Sequence, residues 1–153
     1  MSGHPWFSHL TVAAVIEQDG RFLFVEEHSR HNNVINQPAG HVEEDESIIA
    51  AVCRETLEET GYAVHPDYLI GLYYFQGSNG VTYMRVCFSA SIESQPHNGP
   101  LDPDITATHW LTPDELSKKP IRSPIVLQCI EDYQSGKHYP LSMINDFIHA
   151  SEP

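Results

Sequence analysis

From Glu46 to Thr60 the chain carries a helical period whose two faces are chemically opposed, and this stretch constrains fold and chemistry more than any other. At about 100° per residue, Ile49, Val52, Cys53, Thr56, Leu57 and Thr60 collect on one side as a core-facing stripe. Glu55, Glu58 and Glu59 collect on the other side, within an arc of roughly 100°. Gly61 follows, the residue expected where a helix ends in a left-handed conformation. The acidic side is costly. Carboxylates three and four residues apart repel, by roughly 3 kcal/mol per pair at ~6 Å and an effective dielectric of about 20, and by about a quarter of that when fully solvated. They also crowd the last turn, where the helix dipole favours cations. Two readings compete. Either this is a solvated face of a generally acidic protein, or its oxygens form a site for hard divalent cations, Mg²⁺ or Mn²⁺, whose binding removes the repulsion.

The chain is acidic as a whole, with 8 Lys and Arg against 21 Asp and Glu and a net charge of −13 over 153 residues. Such a chain repels nucleic-acid polymers and anionic membranes, which rely on clustered Lys and Arg. It still accepts a small phosphate ester where bound cations reverse the local sign. A hydrophobic fraction of 41% excludes disorder. Apolar runs such as Thr11 to Ile16 fall far short of the ~20 residues of a membrane span. The opening MSGHPWFSHL lacks the basic start and apolar stretch of a secretion signal, so a soluble, cytoplasmic domain is expected. Cys53, Cys87 and Cys129 form no CxxC and sit among apolar neighbours, as buried free thiols in a reducing compartment would. The ten histidines show no HExxH or Cys/His cluster of zinc spacing.

Around the helix the pattern is β. Leu10 to Ile16 and Arg21 to Glu27 read as strands joined by a hairpin turn at Gln18-Asp19-Gly20. Val34 to Pro38 can hold a short extended piece. Further strands are expected at Tyr68–Gln76, Val81–Ile92 and Ala107–Leu111. A second helix is expected to start with Ser123 as its cap and Pro124 in its first turn, and to end at Gly136. This order predicts one α/β (α+β) domain in which helices pack on a mixed sheet.

From Gly40 to Tyr62 the sequence GHVEEDESIIAAVCRETLEETGY resembles the Nudix box, Gly-x5-Glu-x7-Arg-Glu-U-x-Glu-Glu-x-Gly-U, where U is bulky and apolar. Gly40, Glu46, Arg54, Glu55, Glu58, Glu59 and Gly61 fall in register; Thr56 and Tyr62 are mild departures at the two U positions. The resemblance implies the Nudix fold, a mixed β-sheet sandwiched between helices, as a single domain over residues 1–153 with its core at about 9–147. It implies that Glu58 and Glu59 ligate Mg²⁺ or Mn²⁺, with the Gly40 carbonyl a further ligand. Glu55 would ligate metal or act as general base for the attacking water. Arg54 would pair with Glu46 and orient the helix, a structural role shared with Gly61.

Outside the box, Asn36-Gln37-Pro38-Ala39-Gly40-His41, Arg122-Ser123-Pro124, Tyr133-Gln134-Ser135-Gly136 and Tyr139-Pro140-Leu141 are similar to the NudJ branch of bacterial phosphatases. That likeness implies release of orthophosphate from nucleoside tri- and diphosphates, from thiamine pyrophosphate and from hydroxymethylpyrimidine pyrophosphate. The alternatives are a Nudix pyrophosphatase that releases a nucleoside monophosphate and a Nudix sensor that binds without cleaving. Gly77 to Gly80 lacks the proline typical of ADP-ribose hydrolases. For substrate contacts, Arg85 is a strand cation that can meet phosphate, and Tyr83 is one of several aromatics able to stack a ring, with Trp6, Phe7, Tyr73, Tyr74, Phe75 and Trp110. Glu93, Asp102 and Asp104 are candidates for an added ligand or base, and His41 neighbours the site. No heptad or exposed apolar helix stands out, so no oligomeric state is read.

Overall fold

The structure, a computed structural model, describes residues 3–148. Strands β1 (His9–Val15), β5 (Ala39–His41), β6 (Val64–Gln76) and β7 (Thr82–Ile92) form a mixed sheet in the order β5-β1-β7-β6. Its β1–β7 pair is parallel, and the pairs β1–β5 and β6–β7 are antiparallel. A second, antiparallel sheet joins β2 (Glu17–Gln18), β3 (Arg21–His28) and β4 (Asn33–Asn36), with β8 (Ile105–Leu111) on the other edge of β3. Asp19 and Gly20, with φ of 50° and 79°, make the tight turn between β2 and β3.

Helices α1 (Ile48–Thr60), α2 (Pro113–Ser117) and α3 (Ile125–Gln134) close the two sides. Val12, Ala14 and Ile16 share one cluster with Ala51 and Val52 of α1, whereas Ala13 and Val15 share the other with Leu116 of α2 and Val126, Cys129 and Ile130 of α3. Strand β1 is thus buried on both faces, which is why its sequence is an unbroken apolar run rather than an alternating one. The expected helix-sandwiched mixed sheet is present, and a second sheet lies beside it.

Several elements differ from the sequence reading. Helix α1 begins two residues later than expected, because the Ser47 hydroxyl caps it by accepting the Ala50 N–H at 3.0 Å. Strand β6 starts at Val64 and passes through Pro66, where the ladder shifts register. Helix α3 begins after Pro124 with no side-chain cap, so Ser123 does not serve as one. The helix ends at Gln134, two residues before Gly136. The short elements β5 and α2 have no periodic signal and were not expected.

The core stripe of α1 also needs correction. Leu57 is 38% exposed, while Glu59, placed on the acidic face, is 8% exposed. Around the helix Glu59 lies about 20° from Val52, which is fully buried, and Leu57 about 140° from it. Position on the wheel decides, and chemical type does not. Cys53, expected to be buried, is half-exposed. Thr56 is buried and back-bonds to the Val52 carbonyl at 2.7 Å, and Tyr62 packs edge-on against Trp110, so both departures from the box are accommodated in packing.

Candidate active site

Strand β5 and the residues leading into it bring the backbone against the inner edge of α1. At Gly40 a Cβ would collide with the Glu55 carboxylate, so the missing side chain lets that carboxylate lie against the β5 backbone. One residue earlier, the Ala39 N–H donates to Glu59 Oε1 at 2.9 Å. Burial pushes the Glu59 carboxyl up to about 9; the Ala39 bond opposes this, and the negative neighbours Glu27, Glu55 and Asp102 add to it. Burial raises the Glu55 carboxyl as well, against the pull of Arg54. At the helix end, Gly61 adopts φ 79° and its N–H bonds the Leu57 carbonyl, while a Cβ there would meet the His97 carbonyl at 3.3 Å.

Arg54 organises the outer carboxylates. Its Nε and Nη2 donate to the two oxygens of Glu46 at 2.6 and 3.0 Å, a bidentate pair. Its Nη1 reaches Glu55 at 2.9 Å and Glu58 at 3.1 Å, and its Nη2 also reaches the His41 carbonyl at 3.0 Å. One guanidinium therefore ties the loop before α1, two helix carboxylates and the end of β5 into a unit. Hydrogen bonding to Arg54 holds the Glu46 carboxyl below its ordinary value, and the carboxylates in turn raise the guanidinium further.

The opposite wall comes from β7. Arg85 lies opposite Thr11 of β1 and Tyr73 of β6, and Thr11 lies opposite His41 of β5, so one row crosses the sheet. The adjacent row is aromatic: Tyr83 stacks on Phe75 with ring centres 5.5 Å apart and meets His9 edge-on at 5.6 Å. Arg85 is buried and donates from Nη1 to Gln37 at 2.9 Å and from Nη2 to Asn36 at 3.2 Å. A cavity of about 900 Å³ is lined by Gly40 of β5 with Glu55 and Glu59 of α1, and by Arg85 and Tyr83 of β7 with Phe75 of β6.

The NUDIX domain family model matches residues 7–129. This chain is a Nudix hydrolase. It is 39% identical over 140 residues to Phosphatase NudJ of Escherichia coli (strain K12), across 91% of this chain and 92% of that protein, and the Shigella sonnei Phosphatase NudJ matches to the same extent. Among solved structures, a NUDIX hydrolase from Nitrosomonas europaea superposes with a TM-score of 0.90 at 46% identity, covering 94% of this chain and 99% of that one. A MutT NUDIX hydrolase from Burkholderia pseudomallei superposes at 0.71 and 24% identity, covering 83% and 98%, a likeness of fold. Nudix hydrolases act on small-molecule phosphate substrates and generally use divalent cations, typically Mg²⁺. Among the described residues, no helix is long and apolar enough to cross a membrane.

In this Nudix hydrolase the sequence-predicted residues divide. Gly40, Glu55, Glu59, Arg85 and Tyr83 all line the cavity. Glu58 stands outside its wall, half-exposed, with its carboxylate on Arg54. Of the further candidates, Asp102, Asp104, His41 and Phe75 line it, while Glu93 sits 3.8 Å from His65 elsewhere. Tyr73 is buried with its hydroxyl on Asp132, Trp110 packs on Tyr62, and Trp6, Phe7 and Tyr74 are exposed away from the cavity. Sequence reasoning missed Glu27, at the end of the buried run of β3, and Arg122, which the bond from its N–H to the Ile35 carbonyl draws alongside β4. Arg122 was quoted within a motif without a role; nothing local marks Glu27.

Do these residues fit a divalent cation? Among the described residues no three His, Cys, Asp or Glu side chains already converge as a ligand set. Of the candidate ligands, Glu55 and Glu58 are instead engaged by Arg54, which also holds Glu46. The donor chemistry nevertheless fits. Glu59 is a buried carboxylate with one backbone donor, Glu55 lies against the Gly40 backbone, and all the donors are hard oxygens.

Proposed function

We propose that this Nudix hydrolase is a Mg²⁺-dependent phosphohydrolase of nucleoside tri- and diphosphates and of small organic pyrophosphates, thiamine pyrophosphate and hydroxymethylpyrimidine pyrophosphate among them, releasing orthophosphate. The observation that carries the reading is one cavity lined by the buried Glu59, the half-buried Glu55, a buried arginine and stacked aromatic rings. Similarity to proteins named Phosphatase NudJ over nine-tenths of both chains supports the choice of orthophosphate as product.

Glu59, Glu58, Glu55 and the Gly40 carbonyl are the residues that would hold Mg²⁺, or Mn²⁺ in its place. Bound there, the cation supplies positive charge that neutralises the pyrophosphate and polarises its phosphorus. Glu55 is the general base: burial raises its carboxyl, and Arg54 fixes its orientation. Arg54, Glu46 and Gly61 act through structure. Tyr83 and Phe75 stack the organic ring, and Arg85 binds substrate from the far wall. The free thiols fit a reducing compartment, here read as the cytoplasm.

The test is a panel of nucleoside tri- and diphosphates and thiamine pyrophosphate, each incubated with Mg²⁺ and with EDTA. Orthophosphate from both substrate classes, abolished by EDTA, is the expected result. Pyrophosphate plus nucleoside monophosphate from triphosphates would instead assign the alternative cleavage, and binding without turnover would assign a sensor.

A further inference from the structure

Arg85 is 5% exposed, yet among the described residues no carboxylate lies within ion-pair distance of it. Its hydrogen-bond partners are two amide oxygens, on Gln37 and Asn36, and its Nε–H has no acceptor. A buried guanidinium in a chain of net charge −13 has many potential carboxylate partners, so neutral ones are a departure. Both amides are themselves fixed: Gln37 Nε2 donates to the Val126 carbonyl at 2.7 Å, and Asn36 Nδ2 donates to Glu27 at 2.9 Å. These bonds set which end of each amide faces Arg85. The Phe75 ring lies 6.0 Å from the guanidinium carbon, and the Cys87 and Cys129 thiols lie on its core side. Arg85 also lines the cavity, so its guanidinium edge can meet an anion there although its Nε is shielded from solvent.

Resting on the reading of the site as a pyrophosphate hydrolase, we propose that Arg85 holds the phosphate that stays with the leaving group. Through it the enzyme distinguishes a phosphoanhydride from a phosphate monoester. Cleavage joins the water oxygen to the terminal phosphorus and breaks the bond from that phosphorus to the bridging oxygen. The electron pair of that bond remains on the bridging oxygen, which becomes a non-bridging oxygen of the departing phosphate ester, and Glu55 takes the proton that the water loses. The negative charge gained there falls on the phosphate nearest Arg85, and a preorganised guanidinium favours it without reorganisation. A monoester bound with its phosphate at the carboxylate end has no second phosphate for Arg85, whereas a monoester product holds its phosphate against it.

The test follows the Arg85 Nε–H resonance of the ¹⁵N-labelled protein in EDTA during titration with AMP and with thiamine monophosphate, with adenosine and thiamine as controls. Both monophosphates should shift that resonance and neither control should, and Arg85→Met should weaken binding of both monophosphates about tenfold or more. In turnover, Arg85→Met should lower kcat/KM for a diphosphate about 100-fold, and Arg85→Lys, which keeps the charge but not the fork, should recover part of that loss. An unmoved Nε–H signal overturns the proposal, as do equal shifts from the unphosphorylated controls, which would assign Arg85 to the ring. The titration on the unmodified protein needs neither a folded variant nor turnover. If the monophosphates bind as described while no orthophosphate is released, the subsite stands and the reaction assigned to the site fails.

Discussion

The two ends of the cavity were built by different kinds of sequence information. The carboxylate end comes from one contiguous stretch, Gly40 to Gly61, in which a loop, a helix and its cap fix Glu55 and Glu59 by local geometry. The arginine end is assembled from β7, β6, β1 and the Asn36-Gln37 segment, and no local spacing relates them. The first end is rigid and internally paired through Arg54, whereas the second holds a buried cation with neutral partners. On the proposed reading, the contiguous end would carry the chemistry shared by many substrates, and the assembled end the selection among them.

That division orders the expected effects of mutation. Glu59→Gln should cause the largest, a fall in kcat of about a thousandfold or more in Mg²⁺, because it removes a buried hard ligand from the common end. In EDTA the same change should remove a pH dependence of stability. With Glu59 near 9 when folded and near 4.5 when unfolded, the folded state holds the extra proton between those values, so metal-free stability falls as pH rises through that window. Thermal melts of the parent protein in EDTA should show this slope, Glu59→Gln should flatten it, and Mg²⁺ should stabilise the parent most at the alkaline end.

Arg54→Ala comes next. It releases Glu46, Glu55 and Glu58 together and should cost about 2–3 kcal/mol in denaturant unfolding along with roughly 10- to 100-fold in kcat. At the assembled end, Tyr83→Leu should raise KM about tenfold with little change in kcat, which steady-state kinetics separates. The smallest effect is expected within the helix itself. Leu57→Ala should cost under about 0.5 kcal/mol, against about 2 kcal/mol for Val52→Ala, since only the second residue is buried.

How much could be read in advance follows the same line. The layered fold was legible, because the apolar run of β1, the amphipathic period of α1 and the turn at Asp19-Gly20 are local signals. The box residues were legible for the same reason. Glu59 lines the cavity, but its environment was misread: its charge suggested a solvated face, whereas its angle relative to Val52 puts it inside. Leu57 is the mirror case. Neither Glu27 nor the Asn36–Arg85–Gln37 chain could be read, since Arg85 meets Gln37 and Asn36 only through side-chain bonds across 48 and 49 positions, and Asn36 in turn reaches Glu27. Strand β5 was missed because three residues carry no period, although its backbone holds Glu59.

The most direct test is hydrolysis of a nucleoside triphosphate in ¹⁸O-labelled water with Mg²⁺, followed by ³¹P NMR of the products. The account predicts that the label appears in orthophosphate, with nucleoside diphosphate formed first, and that EDTA abolishes both. Labelled nucleoside monophosphate or pyrophosphate, or the same products formed in EDTA, would contradict it.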